Sequence, residues 1–250
     1  MLLPIALFGS IALRPAVIGA VAVLAAIAYA ARIALAVHAG MLPTTKKQSA
    51  GPVALFVIAT TLIGAVHSIP LRAFVVEPYH VPTDAMRPMV PPDDLVFIIK
   101  MGRHSKVDRG SVVVFDHGDG KDFIKRVIAV GGDTVDIVNG QVSLNQHPIE
   151  RRPCDAGDSS CFIESIGDVA WKMQPGKGGY GDGHWVVPPE QYFMVGDNRD
   201  ESLDSRVEGP VKAEAVKGRV AGTWVAFQSG PPWVKVDRIG ARPYLTTDAK

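Results

Sequence analysis

Acidic residues are absent from the first part of this chain. Residues 1–73 contain no Asp or Glu, and their only Lys and Arg are Arg14, Arg32, Lys46, Lys47 and Arg72. Cysteine is scarce: Cys154 and Cys161 are the only two, and neither has another Cys or a His at ligand spacing. The seven histidines, His38, His67, His80, His104, His117, His147 and His184, show no metal-ligand spacing either, so no metal and no cofactor is expected. Asp116 and His117 are adjacent, which does not suit a Ser-His-Asp relay. Net charge is only +1, which argues against a concentrated basic face and hence against nucleic acid as a partner. No repeat period is present, which leaves out solenoids and propellers.

What fills the uncharged region is apolar. Residues 15–37 and about 52–71 each approach the ~20 apolar residues that cross hydrocarbon. Arg32, near the end of the first stretch, suits snorkelling toward the interface. The connection 38–51 carries Lys46 and Lys47 and is expected on the cytoplasmic side. Two spans place both termini outside. Residues 2–13 are apolar but too few to cross alone. No Lys or Arg precedes the first apolar run, which argues against a cleaved secretory signal. The expected division is a membrane anchor over 1–73 and an extracytoplasmic domain over 74–250.

The second region reads as β structure. Short apolar runs recur at 95–99, 110–115, 123–130, 134–144, 185–187, 192–195 and 220–227, separated by Gly and Pro. Asn139-Gly140 between alternating apolar residues is a hairpin signal. Only 212–216 suggests a helical turn. The fold class is therefore mainly β: an all-β domain behind two membrane helices. Residues 151–184 are polar and Gly-rich and are expected to be an inserted loop region. The dinucleotide-like match at 176–181 has neither the buried strand before it nor the helix after it that phosphate binding needs. Cys154 and Cys161 lie in that polar stretch. A disulfide there fits an oxidising compartment, and two free thiols are the alternative.

Three segments carry chemistry. The first is Val81-Pro82-Thr83-Asp84-Ala85-Met86-Arg87-Pro88, the second Asp122-Phe123-Ile124-Lys125-Arg126-Val127. The third is Gly196-Asp197-Asn198-Arg199-Asp200-Glu201-Ser202-Leu203-Asp204-Ser205-Arg206. A lysine in water is protonated and cannot accept a proton, but burial beside Phe123, Ile124 and Val127 would lower its pKa and make it a general base. Taken alone, a Lys next to an Arg in a strand is ordinary surface, Thr83 an ordinary turn cap, and the third run a solvated loop.

Together, in this order behind two apolar stretches, the segments resemble type I signal peptidase of the bacterial kind. The resemblance covers about residues 52–227 in discontinuous motifs. It implies a membrane-bound serine endopeptidase with a Ser/Lys dyad that removes signal peptides ending in Ala-x-Ala from exported preproteins. In that family a serine immediately precedes the methionine of the first motif; here that position is Ala85. Lys125 is implied as the general base, Thr83 as an oxyanion-hole donor with the backbone N–H of residue 85, and Ser202 as the group that orients the lysine. Asp197 with Arg199 and Asp204 with Arg206 are implied as supporting ion pairs. Tyr79, Val81, Pro82, Met86, Val90, Val96, Asp122 and Ile124 match positions at the substrate, although apolar residues of this kind are otherwise core. The peptide would pair in extended form near 79–86 and 122–125.

Asp84 stands where the family usually has a small residue, and a carboxylate close to a developing oxyanion is unhelpful unless it points away. Trp224, Phe227 and Trp233 suit the bilayer surface. The implied setting is the bacterial inner membrane, multi-pass, with signal peptides, the lipid bilayer and the translocation machinery as partners. Two explanations of Ala85 stand: a substitution introduced into a complete site, or a naturally non-catalytic relative that binds signal peptides. The intact base and supports favour the first. A specialised peptidase of a pilus or conjugation system is a further alternative; the two spans argue against the self-cleaving repressors, which also use Ser and Lys.

Overall fold

A computed structural model of the chain describes residues 76–246 apart from 103–104, 156, 158, 178–180 and 228–233, together with Ile58. The expected spans (Ile58 aside), the loop 38–51 and Trp233 lie outside the described residues. Among the described residues no helix is long and apolar enough to cross a membrane.

The described chain is mainly β, as the sequence suggests. In order come β1 (Val76–His80), β2 (Leu95–Lys100), β3 (Val112–Asp116), β4 (Asp122–Val130), β5 (Thr134–Val138), β6 (Gln141–Leu144), β7 (His147–Pro148) and β8 (Glu150–Pro153). There follow β9 (Phe162–Ile166), β10 (Val169–Met173), β11 (Gly183–Val186), β12 (Gln191–Val195), the one-turn helix α1 (Ser205–Glu208), β13 (Val211–Lys212), β14 (Val216–Val225) and β15 (Leu245–Thr246). They form a seven-stranded sheet, order β1-β2-β14-β3-β4-β12-β13, and two four-stranded sheets, β15-β10-β9-β8 and β11-β5-β6-β7.

Local chemistry explains the turns. Asn139 and Gly140 both have positive φ, 50° and 73°, and join β5 to β6 with Val138 opposite Gln141. Both central residues of a type I′ turn need that conformation, which Asn-Gly tolerates best.

The expected loop region 151–184 needs correction. It holds most of β8, all of β9 and β10, and the start of β11. Phe162–Met173 is a hairpin that turns at Gly167 (φ 58°), with Ile166 opposite Val169. Buried Trp171 and Met173 join Ile128, Val135, Ile137 and Phe193 in a core shared with the other sheets. Interleaved Glu164 and Lys172 mask this apolar pattern. Cys154 and Cys161 are joined in a disulfide across the base of the loop that connects β8 to β9, where Cys154 N–H also donates to Cys161 O (3.0 Å). The suggested helix at 212–216 is a 3-10 turn, Ala213–Ala215, between β13 and β14.

Candidate active site

β4 carries the lysine. Strand alternation sends Phe123, Lys125 and Val127 to one face of the sheet and Ile124, Arg126 and Ile128 to the other. Lys125 is opposite Val113 of β3 and only 5% exposed. Its Nζ lies 5.3 Å from the centre of the Phe123 ring. Burial removes the ammonium from water and lowers the lysine pKa to about 8; Asp204 opposes the shift, Arg206 adds to it, and Asp197 and Glu208 oppose it.

A 3-10 turn, Asp84–Met86, packs against β4 and holds Ala85, itself buried. Its approach is fixed at both ends. Val81 N–H donates to Asp94 O (3.0 Å), and Asn198 N–H donates to Ala85 O (3.0 Å). The Asn198 side-chain amide also reaches Asp84 O (3.3 Å). Thr83 precedes the turn in extended conformation, exposed, and its side chain makes no capping bond. The Asp84 carboxylate pairs with Arg87 Nε at 2.5 Å, which draws its charge toward a cation.

The polar run closes the site. The Gly196 α-carbon is wedged between Ser202 and the Ala85 carbonyl so tightly that a β-carbon would meet them at 2.3 and 2.6 Å. Gly196 N–H donates to Asp204 Oδ2 (2.9 Å), and the Ser202 hydroxyl donates to the same oxygen (2.6 Å). That bond uses the hydroxyl proton and leaves oxygen lone pairs to accept from a neighbouring amine. Arg206 clasps Asp204 through Nε (2.8 Å) and a terminal nitrogen (2.9 Å). These donors hold the Asp204 carboxyl below its usual range against the opposing effect of burial.

The expected pairing of Asp197 with Arg199 is replaced by a longer-range one. Asp197 receives a bidentate pair from Arg126 (2.7 and 2.6 Å), and both side chains are fully buried. Arg126 also donates to Gly110 O and Pro243 O, both at 2.7 Å, and lies over Trp171. Arg199 instead pairs with Glu164 and donates to Gly196 O (3.1 Å). Two residues apart in the chain, Asp197 and Arg199 sit on a loop that sends them to different partners. Arg126, Asn198, Gly196 and Glu164 are thus site residues to which the sequence reading gave no individual role. The first three lie inside the chemistry-bearing segments; Glu164 carried no signal.

Of the apolar substrate positions, Val81, Met86, Val90, Val96 and Ile124 belong to one buried cluster, with Tyr79 packed against it. They back the turn rather than stand open. Pro82 is exposed. Burial, together with the nearby Asp122 and Glu77 carboxylates, pushes the Tyr79 phenol upward. Asp122 also pairs with Lys217 (2.6 Å). A cavity of about 940 Å³ beside Ser105, Tyr192 and Lys212 contains none of the candidate residues. Another, of about 570 Å³, adjoins the turn, with His80, Arg87, Phe227 and Lys235 in its wall.

An antiparallel β scaffold thus buries a lysine, its pKa lowered by desolvation, on the strand against which a tight turn packs. Residues 53–225 match the family described as signal peptidase, peptidase S26. The chain belongs to that family. It is 29% identical over 192 residues to signal peptidase I of Pseudomonas fluorescens, covering 63% of this chain and 67% of that one. Over 189 residues it is 29% identical to signal peptidase I of Leptolyngbya laminosa, covering 70% and 83%. Over 217 residues it is 30% identical to a probable signal peptidase I-2 of Synechocystis, covering 83% and 85%.

Proposed function

We propose that this chain is a signal peptidase I whose nucleophile position is occupied by Ala85, so that it binds signal peptides of exported preproteins without cutting them. The observation that carries the reading is the buried Lys125, lowered to about 8, on the strand against which the Ala85 turn packs.

In this reading a serine oxygen at position 85 attacks the carbonyl carbon of the last residue of an Ala-x-Ala signal. Neutral Lys125 takes the hydroxyl proton and later gives it to the departing amine; water then hydrolyses the ester, with Lys125 again as base. The backbone N–H of residue 85 and the Thr83 hydroxyl receive the oxyanion. Ser202, pinned by Asp204, keeps the lysine aimed. Ala85 removes the attacking oxygen, so no acyl-enzyme forms. Residues 1–73 serve as a two-span anchor with loop 38–51 in the cytoplasm, and 74–250 lie outside the bacterial inner membrane. Phe227 and Trp224, both exposed, face the bilayer surface, close to where preproteins leave the translocation machinery.

The test is cleavage, in detergent, of a preprotein whose signal ends in Ala-x-Ala. The chain as it stands is expected to leave it whole. Ala85→Ser is expected to cut it with an acidic limb near pH 8, and Ala85→Ser/Lys125→Ala to lose that cleavage by about 100-fold or more. An inert Ala85→Ser that still binds the signal peptide would overturn the peptidase reading and leave a binding protein.

A further inference from the structure

Glu164 lies in β9, on the sheet that the sequence disguises as a loop. It is fully buried, yet no part of the proposed chemistry uses it. A carboxylate taken completely out of water is costly unless paired and hydrogen-bonded. Here it has two guanidinium partners. Arg151, its cross-strand neighbour on β8, reaches it at 2.6 and 3.2 Å. Arg199, from the polar run, reaches its other oxygen.

The two arginines do different things. Arg151 spends another N–H on Gly140 O (2.8 Å), in the β5–β6 turn. Arg199 spends its Nε on Gly196 O (3.1 Å). Gly196 is the residue wedged against Ala85 O and Ser202 Oγ, with no room for a methyl group. The neighbouring backbone is tied to the same sheet: Arg199 N–H donates to Gln174 O (3.1 Å) and Gln174 N–H to Asp197 O (2.8 Å), just beyond β10. Arg206, the partner of Asp204, also donates to Arg199 O (2.7 Å). A planar guanidinium held by acceptors at two of its nitrogens has little freedom to turn.

We propose that Glu164 is a positioning residue for the reaction centre: it fixes the Arg199 fork, which fixes the Gly196 carbonyl and through it the spacing between residue 85 and Ser202. The roles of residues 85 and 202 rest on the peptidase reading; the mechanical link does not. The β8–β9 hairpin, closed by its disulfide, is then the buttress of the polar run. An apolar pair in place of these charges would bury as well but would not aim the fork.

The test compares a variant that alters the buried carboxylate itself with one that removes only its β8 partner, in the full chain in detergent micelles. Residue-resolved amide hydrogen exchange is read at Asn198, whose N–H is bonded to Ala85 O, and in the β5–β6 hairpin. Glu164→Gln is expected to speed exchange at Asn198 by about tenfold or more, while Arg151→Met changes it by less than about twofold and acts instead on the β5–β6 turn. Equal acceleration at Asn198 in both variants, or none in Glu164→Gln, would show that Glu164 only stabilises the sheet. If Glu164→Gln fails to fold, Glu164→Asp keeps the charge one methylene short of Arg199 and is expected to give about threefold at Asn198; no change there overturns the proposal equally. In the Ala85→Ser background, Glu164→Gln should lower kcat by about tenfold with KM held within about twofold. If Ala85→Ser does not cut, the peptidase reading fails, while the exchange comparison still decides the role of Glu164.

Discussion

Replacing Lys125 with Met should make the protein more stable at neutral pH, and the gain should fade as pH rises. Lys125 titrates near 8 in the folded chain against 10.5 when unburied, a difference of about 2.5 pH units. At 1.36 kcal/mol per unit this is roughly 3 kcal/mol of native-state penalty below pH 8, where both states carry the proton. Between about pH 8 and 10.5 the unfolded chain still holds the proton and the native chain has released it, so stability rises with pH across that window; above it the penalty is gone. Met has a similar length and no charge, and it fills irregular apolar space. Loss of the ammonium over the Phe123 ring takes back about 0.5–1 kcal/mol. The net expectation at pH 7 is about 2 kcal/mol, or about 4–8 °C in melting temperature for a domain of this size. Thermal unfolding of the full chain and of Lys125→Met in the same detergent, at pH 7, 8, 9 and 10, reads it directly. Subtracting the two profiles cancels other groups that titrate in the range, Tyr79 among them. A Met variant that melts at or below the parent at pH 7, or a gain that stays flat to pH 10, would refute the placement of a strained, proton-releasing lysine.

Gly196→Ala puts a methyl carbon 2.3 Å from Ser202 Oγ and 2.6 Å from Ala85 O, and one of these contacts is backbone. It should destabilise by about 2–3 kcal/mol in urea unfolding and abolish the cleavage gained by Ala85→Ser; a variant of parental stability would mean the wedge is loose. Asp204→Asn removes a buried carboxylate charge from its pair with Arg206 and should cost about 3–5 kcal/mol at pH 7. Because the native Asp204 carboxyl is held below its ordinary value of 3.8, its contribution is present above that pH and is lost as pH falls through the lower native value. The gap between parent and variant should therefore narrow in acid, as read by unfolding at pH 7, 4 and 3; a constant gap would point to packing rather than charge.

What could be read in the sequence depended on how local its physical cause was. The Asn139-Gly140 turn and the apolar runs of β2, β3 and β4 are short-range effects and were legible. Lys125 was legible only in company, since burial of a lysine is a property of the strands on either side and not of its own neighbours. The second sheet was not legible because its inward face includes Glu164 at an ordinarily apolar position, neutralised by Arg151, 13 residues away, and Arg199, 35 residues away. Asp197 shows the same limit: proximity in sequence suggests Arg199, whereas the partner is Arg126, 71 residues away. Asp84 raised an electrostatic objection that Arg87, three residues on, answers in space.

These long-range ties also bear on what an alanine at position 85 does. The bonds that assemble the site run from Asn198 to the Ala85 carbonyl, from Ser202 to Asp204, from Arg126 to Asp197 and from Arg199 to Gly196. None of them uses the side chain of residue 85. A hydroxyl there would add one oxygen to a turn that is already held by its backbone, so an alanine at this position leaves the frame standing. Under the proposed function, cutting and peptide binding would then be separable, because only the first would need an oxygen at position 85. Ala85→Ser should therefore leave the fold and its thermal stability within about 0.5 kcal/mol of the parent, as read by melting both chains in the same detergent.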